Sequence, residues 1–331
     1  MAHIGIDVSK SKLDCLWVRD LEQGKVKTKV FKNRSDAFPE LLRWLCDHTG
    51  ESVGQLHVYL EATGIYHEPL AYWLHDQGAQ VYVLNPAQVR HHAQGLGRRS
   101  KTDRKDSMML ARYGIERSPT PWQPESPEVR ELKRLLGRLD ALDDDIRREH
   151  NRLEKAEFNG DAQAAESIHN VLAALNEERR RLEQAIDDHF DRNDHLKRDR
   201  ALLETIPSIG KVLSAYMTAA LRSREFVSGR QAAAFHGLVP IQEQSGTSVK
   251  KPPRLSKAGS AKLRQKLYMA AVTAIRHNPD IRAQYLRLCK RGKAPMAAIG
   301  AAMRKLIHIA YGVLKSQTVY RPQQQQPLQG T

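Results

Sequence analysis

Short apolar runs divided by turn residues fill the first third of the chain, and apolar positions at helical spacing fill the rest. Residues 3–8, 12–19 and 26–33 read as three successive strands, joined at Ser9-Lys10-Ser11 and near Gln23-Gly24. A helix at about 35–48, a strand at 56–61, a helix from Tyr66 to Gln77, a strand at 80–84 and a helix after Pro86 follow. This alternation predicts one α/β domain over residues 1–117. The proline-rich stretch 118–127, SPTPWQPESP, predicts a linker. Beyond it Leu132, Leu139, Ile146 and Leu153 recur every seven residues, and after the turn-like Asn159-Gly160-Asp161 the pattern resumes at Ile168, Leu175 and Leu182. Two such arms predict an antiparallel coiled-coil hairpin over 128–192, each arm roughly 40 Å long. A mainly helical domain over 193–316 and a flexible Gln-rich tail over 317–331 complete the chain.

Four acids interrupt this pattern. In KTDRKDSMMLARYG, Thr102 can cap a helix that starts at Asp103, so that Asp103 and Asp106 share a face with Leu110 and Tyr113. Asp7 and Glu61 end the apolar runs HIGID and LHVYLE, which read as strands buried on both faces. Carboxylates on buried stripes need a positive partner, and a divalent cation suits several converging acids. Three strands, then helix–strand–helix–strand–helix, is the order of the ribonuclease H fold. There the ends of the first and fourth strands lie side by side beneath a late helix, which predicts that Asp7, Glu61, Asp103 and Asp106 meet.

Charge changes the picture of the C-terminal part. The chain has 53 Lys+Arg against 38 Asp+Glu, a net +15. From Gln244 onward there are 17 Lys+Arg and one acid, Asp280, so this stretch carries the whole excess. A polyanion, most plausibly nucleic acid, is the partner such a stretch predicts. LETIPSIGKVLSA looks like a helix-hairpin-helix, a motif that binds DNA phosphate, here at Gly210 and Lys211, although Ser208 stands where a glycine is usual and an ordinary αα turn is the alternative. After the helix Gln231–Phe235, the segment from Val239 to Gly259 holds Ser245-Gly246 followed by Lys250, Lys251, Arg254 and Lys257. Lys262, Arg264 and Lys266 continue the basic run, and these residues are expected on a nucleic-acid backbone. Ser245 is a candidate nucleophile, with a capping or turn role as its alternative. Cys15, Cys46 and Cys289 show neither zinc nor disulfide spacing and fit a reducing cytoplasm. No signal segment or membrane-length apolar run is read in the chain.

GIDVSK, LEATGIY, KTDRKDSMMLARYG, IPSIG, QAAAFHGLVP and SGTSVKKPPRLSKAG, in this order, together resemble the DEDD transposases of bacterial insertion sequences. These form the IS-one-ten family, which includes the Piv-type DNA invertases. The resemblance implies a RuvC-like ribonuclease H domain, a coiled coil and a second transposase domain. Its four acids fall on Asp7, Glu61, Asp103 and Asp106, holding Mg²⁺, and its nucleophilic serine on Ser245. It further implies recombination of double-stranded donor and target DNA through a covalent phosphoserine, guided by a structured noncoding RNA, the bridge RNA. Dimers would assemble to tetramers whose composite sites take acids and serine from different subunits, in a nucleoid-associated cytoplasmic protein. A Piv-like invertase without guide RNA, a Mg²⁺-dependent hydrolytic junction resolvase and a non-catalytic scaffold are the alternatives. A sugar-kinase-like ATPase, suggested by GIDVSK, lacks a second phosphate loop.

Overall fold

The structure is a computed structural model. It describes residues 1–62, 64–97, 103–242, 244–245, 249–250 and 253–322, with the backbone alone at 103, 104, 244, 245, 249 and 250. The proposed cap Thr102, Lys251, and the tail from 323 lie outside the described residues. The chain divides into two compact units, Met1–Pro124 and Glu125–Thr331.

In the first unit the order is β1 (Ala2–Val8), β2 (Lys12–Asp20), β3 (Lys25–Lys32), α1 (Phe38–Thr49), β4 (Leu56–Glu61), α2 (Glu68–Asp76), β5 (Gln80–Leu84), α3 (Pro86–Gly95) and α4 (Asp103–Arg117). Five strands form a mixed sheet in the order β3-β2-β1-β4-β5, antiparallel from β3 to β1 and parallel from β1 to β5. Strand alternation sorts the side chains of β1. Ile4, Ile6 and Val8 join Val58 and Leu60 in a core with Phe38, Leu41 and Leu45 of α1 and Leu70 and Leu74 of α2. His3, Gly5 and Asp7 belong to the other face, across which α4 runs. A Cβ added at Gly5 would lie 1.9 Å from the carbonyl oxygen of Ser107, so helix and strand touch backbone to backbone there. Burial on both faces is why β1 and β4 read as nearly unbroken apolar runs.

The second unit is mostly helical: α5 (Pro127–Phe158), α6 (Ala162–Arg192), α7 (Asp194–Glu204), α8 (Lys211–Leu221), α9 (Gly229–Phe235), α10 (Ala261–His277), α11 (Pro279–Lys290) and α12 (Pro295–Ser316). Between α9 and α10 stand four two-residue strands, β6 (Pro240–Ile241), β7 (Gln244–Ser245), β8 (Val249–Lys250) and β9 (Arg254–Leu255). Helices α5 and α6, of 32 and 31 residues, form the long hairpin. Its base is part of the unit's core, where Leu132, Leu136, Leu139, Ile186 and Phe190 cluster with Leu203, Leu213, Leu267 and Leu306. Toward the tip Ile146, Ile168 and Leu175 are only half-buried. By length and hydropathy α12 could cross a membrane, yet Leu306, Ile307 and Ala310 on it are fully buried in this core.

The segment after α12 is partly anchored, which the expectation of a flexible tail from 317 did not foresee. Gln317 donates to Asp199 at 2.9 Å. Tyr320 donates its hydroxyl to Asp280 at 2.7 Å and its backbone N–H to Thr205 at 2.9 Å. Asp199, 1% exposed, also takes two bonds from Arg222 at 2.5 and 2.8 Å, so a buried charge on α7 is fully satisfied.

Candidate active site

Parallel pairing of β1 with β4 runs in step from Ala2↔Leu56 to Ile6↔Leu60. The next residues are Asp7 and Glu61, so these acids stand side by side where the β1–β4 ladder ends and, by the period of two, on the α4 face. Both are half-buried, as is Asp106. Ser107, 1% exposed, bolts the start of α4 to this place: its hydroxyl donates to the Asp14 carbonyl at 2.7 Å and accepts from the Asp7 N–H at 3.3 Å. The most buried stripe of α4 is Ser107, Leu110, Ala111 and Gly114, and Asp106 flanks it, beside the strand ends. Asp103 opens the same helix, one turn earlier. Asn33 links the two loops beyond the strand ends, donating to the carbonyls of Ser9 at 2.8 Å and Tyr66 at 3.0 Å.

Sequence reasoning missed Asp14, which pairs directly with Asp7 across the β1–β2 ladder and meets Lys12 at 3.1 Å. The tight turn at Ser9-Lys10-Ser11 was the available signal, since it sets the register that places the two acids opposite each other. It missed Ser107 and Asn33 as well, because a serine and an asparagine carry no periodic signature. Among the described residues no three Asp, Glu, His or Cys side chains form a ready metal site. Asp7, Glu61 and Asp106 nevertheless offer carboxylate oxygens, the kind of donor a hard divalent cation takes.

Ser245 stands on β7, where it pairs with Val249 while Gln244 pairs with Lys250. This hairpin grows from the β6–β9 ladder, Pro240↔Leu255 and Ile241↔Arg254. Its base is tightly locked. Gly237, at φ +72°, approaches so closely that a Cβ would lie 2.2 Å from the Ala258 carbonyl oxygen. Arg264 ties the crossing together by donating to the carbonyls of Gly259 at 3.1 Å, His236 at 3.4 Å and Ala258. His236 is buried beneath it; desolvation, aided by the charges of Lys133 and Arg264, pushes its pKa down to about 4 against a bond to the backbone at Ala220.

A family model for DEDD transposases of the IS110 type, described as Transposase, matches residues 4–156, and a second, Transposase IS116/IS110/IS902 family, matches residues 200–286. The chain is 30% identical over 315 residues to the pilin gene-inverting proteins of Moraxella bovis and Moraxella lacunata, covering 95% of each chain. The chain belongs to the IS110 family of transposases. A probable family 20 transposase of Pseudomonas aeruginosa is 33% identical over 147 residues, 43% of this chain and 42% of that one. As an IS110 transposase the protein is a DNA recombinase, and its DEDD class is one associated with divalent metal.

The basic residues singled out in the transposase sequence fall into two groups. Lys262 meets Asp144 at 2.5 Å, Lys266 lies 3.6 Å from Asp140 and 4.3 Å from the Tyr216 ring centre, and Lys211 meets Asp187 at 2.5 Å. The hydrogen bond from Lys262 holds the Asp144 carboxyl below its ordinary pKa. Burial first, then the bond it donates to Asp140, raises that of Tyr216. Lys211, Lys262 and Lys266, with Asp140 and Asp144, line an open cavity of about 550 Å³ beside Ser208 and Gly210. Arg254 and Lys257 are on the outgoing side of the serine hairpin, both exposed, Lys257 at φ +58°. Lys250 is described by its backbone, in β8.

Proposed function

We propose that this transposase cuts and rejoins double-stranded DNA through a covalent phosphoserine on Ser245, with Asp7, Glu61, Asp103 and Asp106 as its acid set. The observation that carries the proposal is the in-step end of β1 and β4 at Asp7 and Glu61, with α4 bolted over them by Ser107. Mg²⁺ held by these carboxylates would stabilise charge developing on the phosphodiester. Ser245 attacks phosphorus through Oγ: an Oγ–P bond forms, the bond to the DNA 3′-oxygen breaks, and the serine proton ends on the freed 3′-hydroxyl. Reversal of the step by a 3′-hydroxyl of the exchanged strand rejoins the DNA and restores the serine. The RuvC-like character of the first unit, a bridge RNA as guide, and tetramers whose sites combine acids and serine of different subunits belong to the same proposal. Support for the RNA is the basic C-terminal part, which suits more than one nucleic acid at once.

A denaturation-resistant protein–DNA adduct is the decisive product. Ser245→Ala is expected to lose both adduct and cleavage, and Asp106→Ala to lose recombination while still binding DNA. Cleavage persisting in Ser245→Ala, or an adduct mapped by mass spectrometry to another residue, refutes the assignment. DNA inversion without guide RNA is a second reading, favoured by 30% identity over 95% of the chain to pilin gene-inverting proteins. Ribonuclease treatment of the purified protein separates the two: loss of recombination requires a guide, and full activity excludes one.

A further inference from the structure

We propose that the exposed face of α11 and the turn after it, carrying Arg282, Arg287, Lys290, Arg291 and Lys293, is the surface that grips the phosphate backbone of double-stranded DNA. The proposal takes its ligand from the reading of the protein as a DNA recombinase. At 100° per residue Arg282, Ala283, Leu286, Arg287 and Lys290 fall within one 140° sector of α11. All five are exposed, whereas Ile281 on the opposite side and Asp280, just past the Arg287 edge of the sector, are buried. Asp280 is the one acid after residue 244, and it is turned inward to accept the Tyr320 hydroxyl. The exposed face therefore carries cations with no carboxylate among them. Arg291 and Lys293, exposed in the turn before α12, extend the stripe beyond the helix end.

Partnering separates this surface from the basic residues nearer the serine hairpin. Lys262, Lys266 and Lys211 each face a carboxylate of the long hairpin. A phosphate arriving there must displace that carboxylate, and little net charge is gained. The five cations of α11 and its turn form no ion pair among the described residues, so their counterions are mobile salt ions that DNA releases on binding. Complementing the helix dipole would account for Arg287 and Lys290 in the last turn. It does not account for Arg282 near the start of the helix, nor for Arg291 and Lys293 past its end. Ala283 and Leu286, which separate the cations on the exposed face, present no competing acceptor.

The test uses the full chain and measures affinity for a duplex of arbitrary sequence across a KCl series. In R282Q/R287Q/K290Q the slope of log K against log [KCl] should become shallower by about 2 to 3, since each neutralised phosphate contributes about 0.9. K262Q/K266Q should leave the slope unchanged. An unchanged slope in the triple variant, flattening only in K262Q/K266Q, or a slope lost for RNA but kept for duplex DNA overturns the inference. If the triple variant does not fold, R287Q and K290Q singly should each flatten the slope by about 0.9. Steep wild-type binding without a Ser245 adduct would sink the phosphoserine reading and leave this surface standing. An adduct formed by a triple variant with unchanged slope would do the reverse.

Discussion

Ser208 shows how one residue can be held against its own preference. It sits in the α7–α8 turn at φ +84°, a conformation a serine adopts at a cost, and its buried hydroxyl has no partner among the described residues. The glycine that a helix-hairpin-helix ordinarily carries there would relieve both. Ser208→Gly should therefore raise stability by about 1 kcal/mol, read as a higher urea midpoint at constant slope. His236 makes the opposite kind of demand. Burial keeps it neutral with a pKa of about 4, while the unfolded chain titrates near 6.5. Between those values the unfolded state binds the extra proton, so stability is fully present above pH 6.5 and falls as pH drops toward 4. His236→Gln should flatten that part of a midpoint-against-pH curve; a curve of unchanged steepness would show that the imidazole is not its source.

At the scale of elements, the acid site depends on how α4 meets β1. The contact at Gly5 leaves no room for a side chain, because the Ser107 carbonyl occupies the position a Cβ would take. Gly5→Ala must push the helix away from the strand, and with it Ser107, which joins α4 to the Asp7 N–H. The expected outcome is a loss of about 3 kcal/mol in stability and of recombination, although Gly5 touches no substrate. Thermal melting and adduct formation measured on the same variant check both halves, and adduct formation at the wild-type level would show that the helix position tolerates the shift. The long hairpin illustrates a different balance. Its heptads are even along both arms, but burial is concentrated at the base, where α7, α8, α10 and α12 supply the other side of the core. Heptad periodicity specifies a buried seam and says nothing about a third layer added at one end.

For the whole molecule, the strand and helix order of the first unit was legible because β1 and β4 are apolar on both faces and their neighbours are bounded by turns. The division near the prolines and the two long helices were legible for the same kind of reason, since backbone chemistry and periodicity are local properties. So was the charge asymmetry, a matter of counting. The pairing of β1 beside β4 followed from fold order, but the Asp14 position across the ladder and the hold of Ser107 on β1 and β2 came only with register and packing. Which cations remain available to a polyanion was illegible. Lys262 and Lys266 read as free bases in the chain, and their partners, Asp144 and Asp140, lie more than a hundred residues away on α5. A sequence records each charge and the face it occupies; whether a charge is spent internally is decided only when distant helices pack, because the Coulomb interaction that cancels it depends on distance in space and not along the chain.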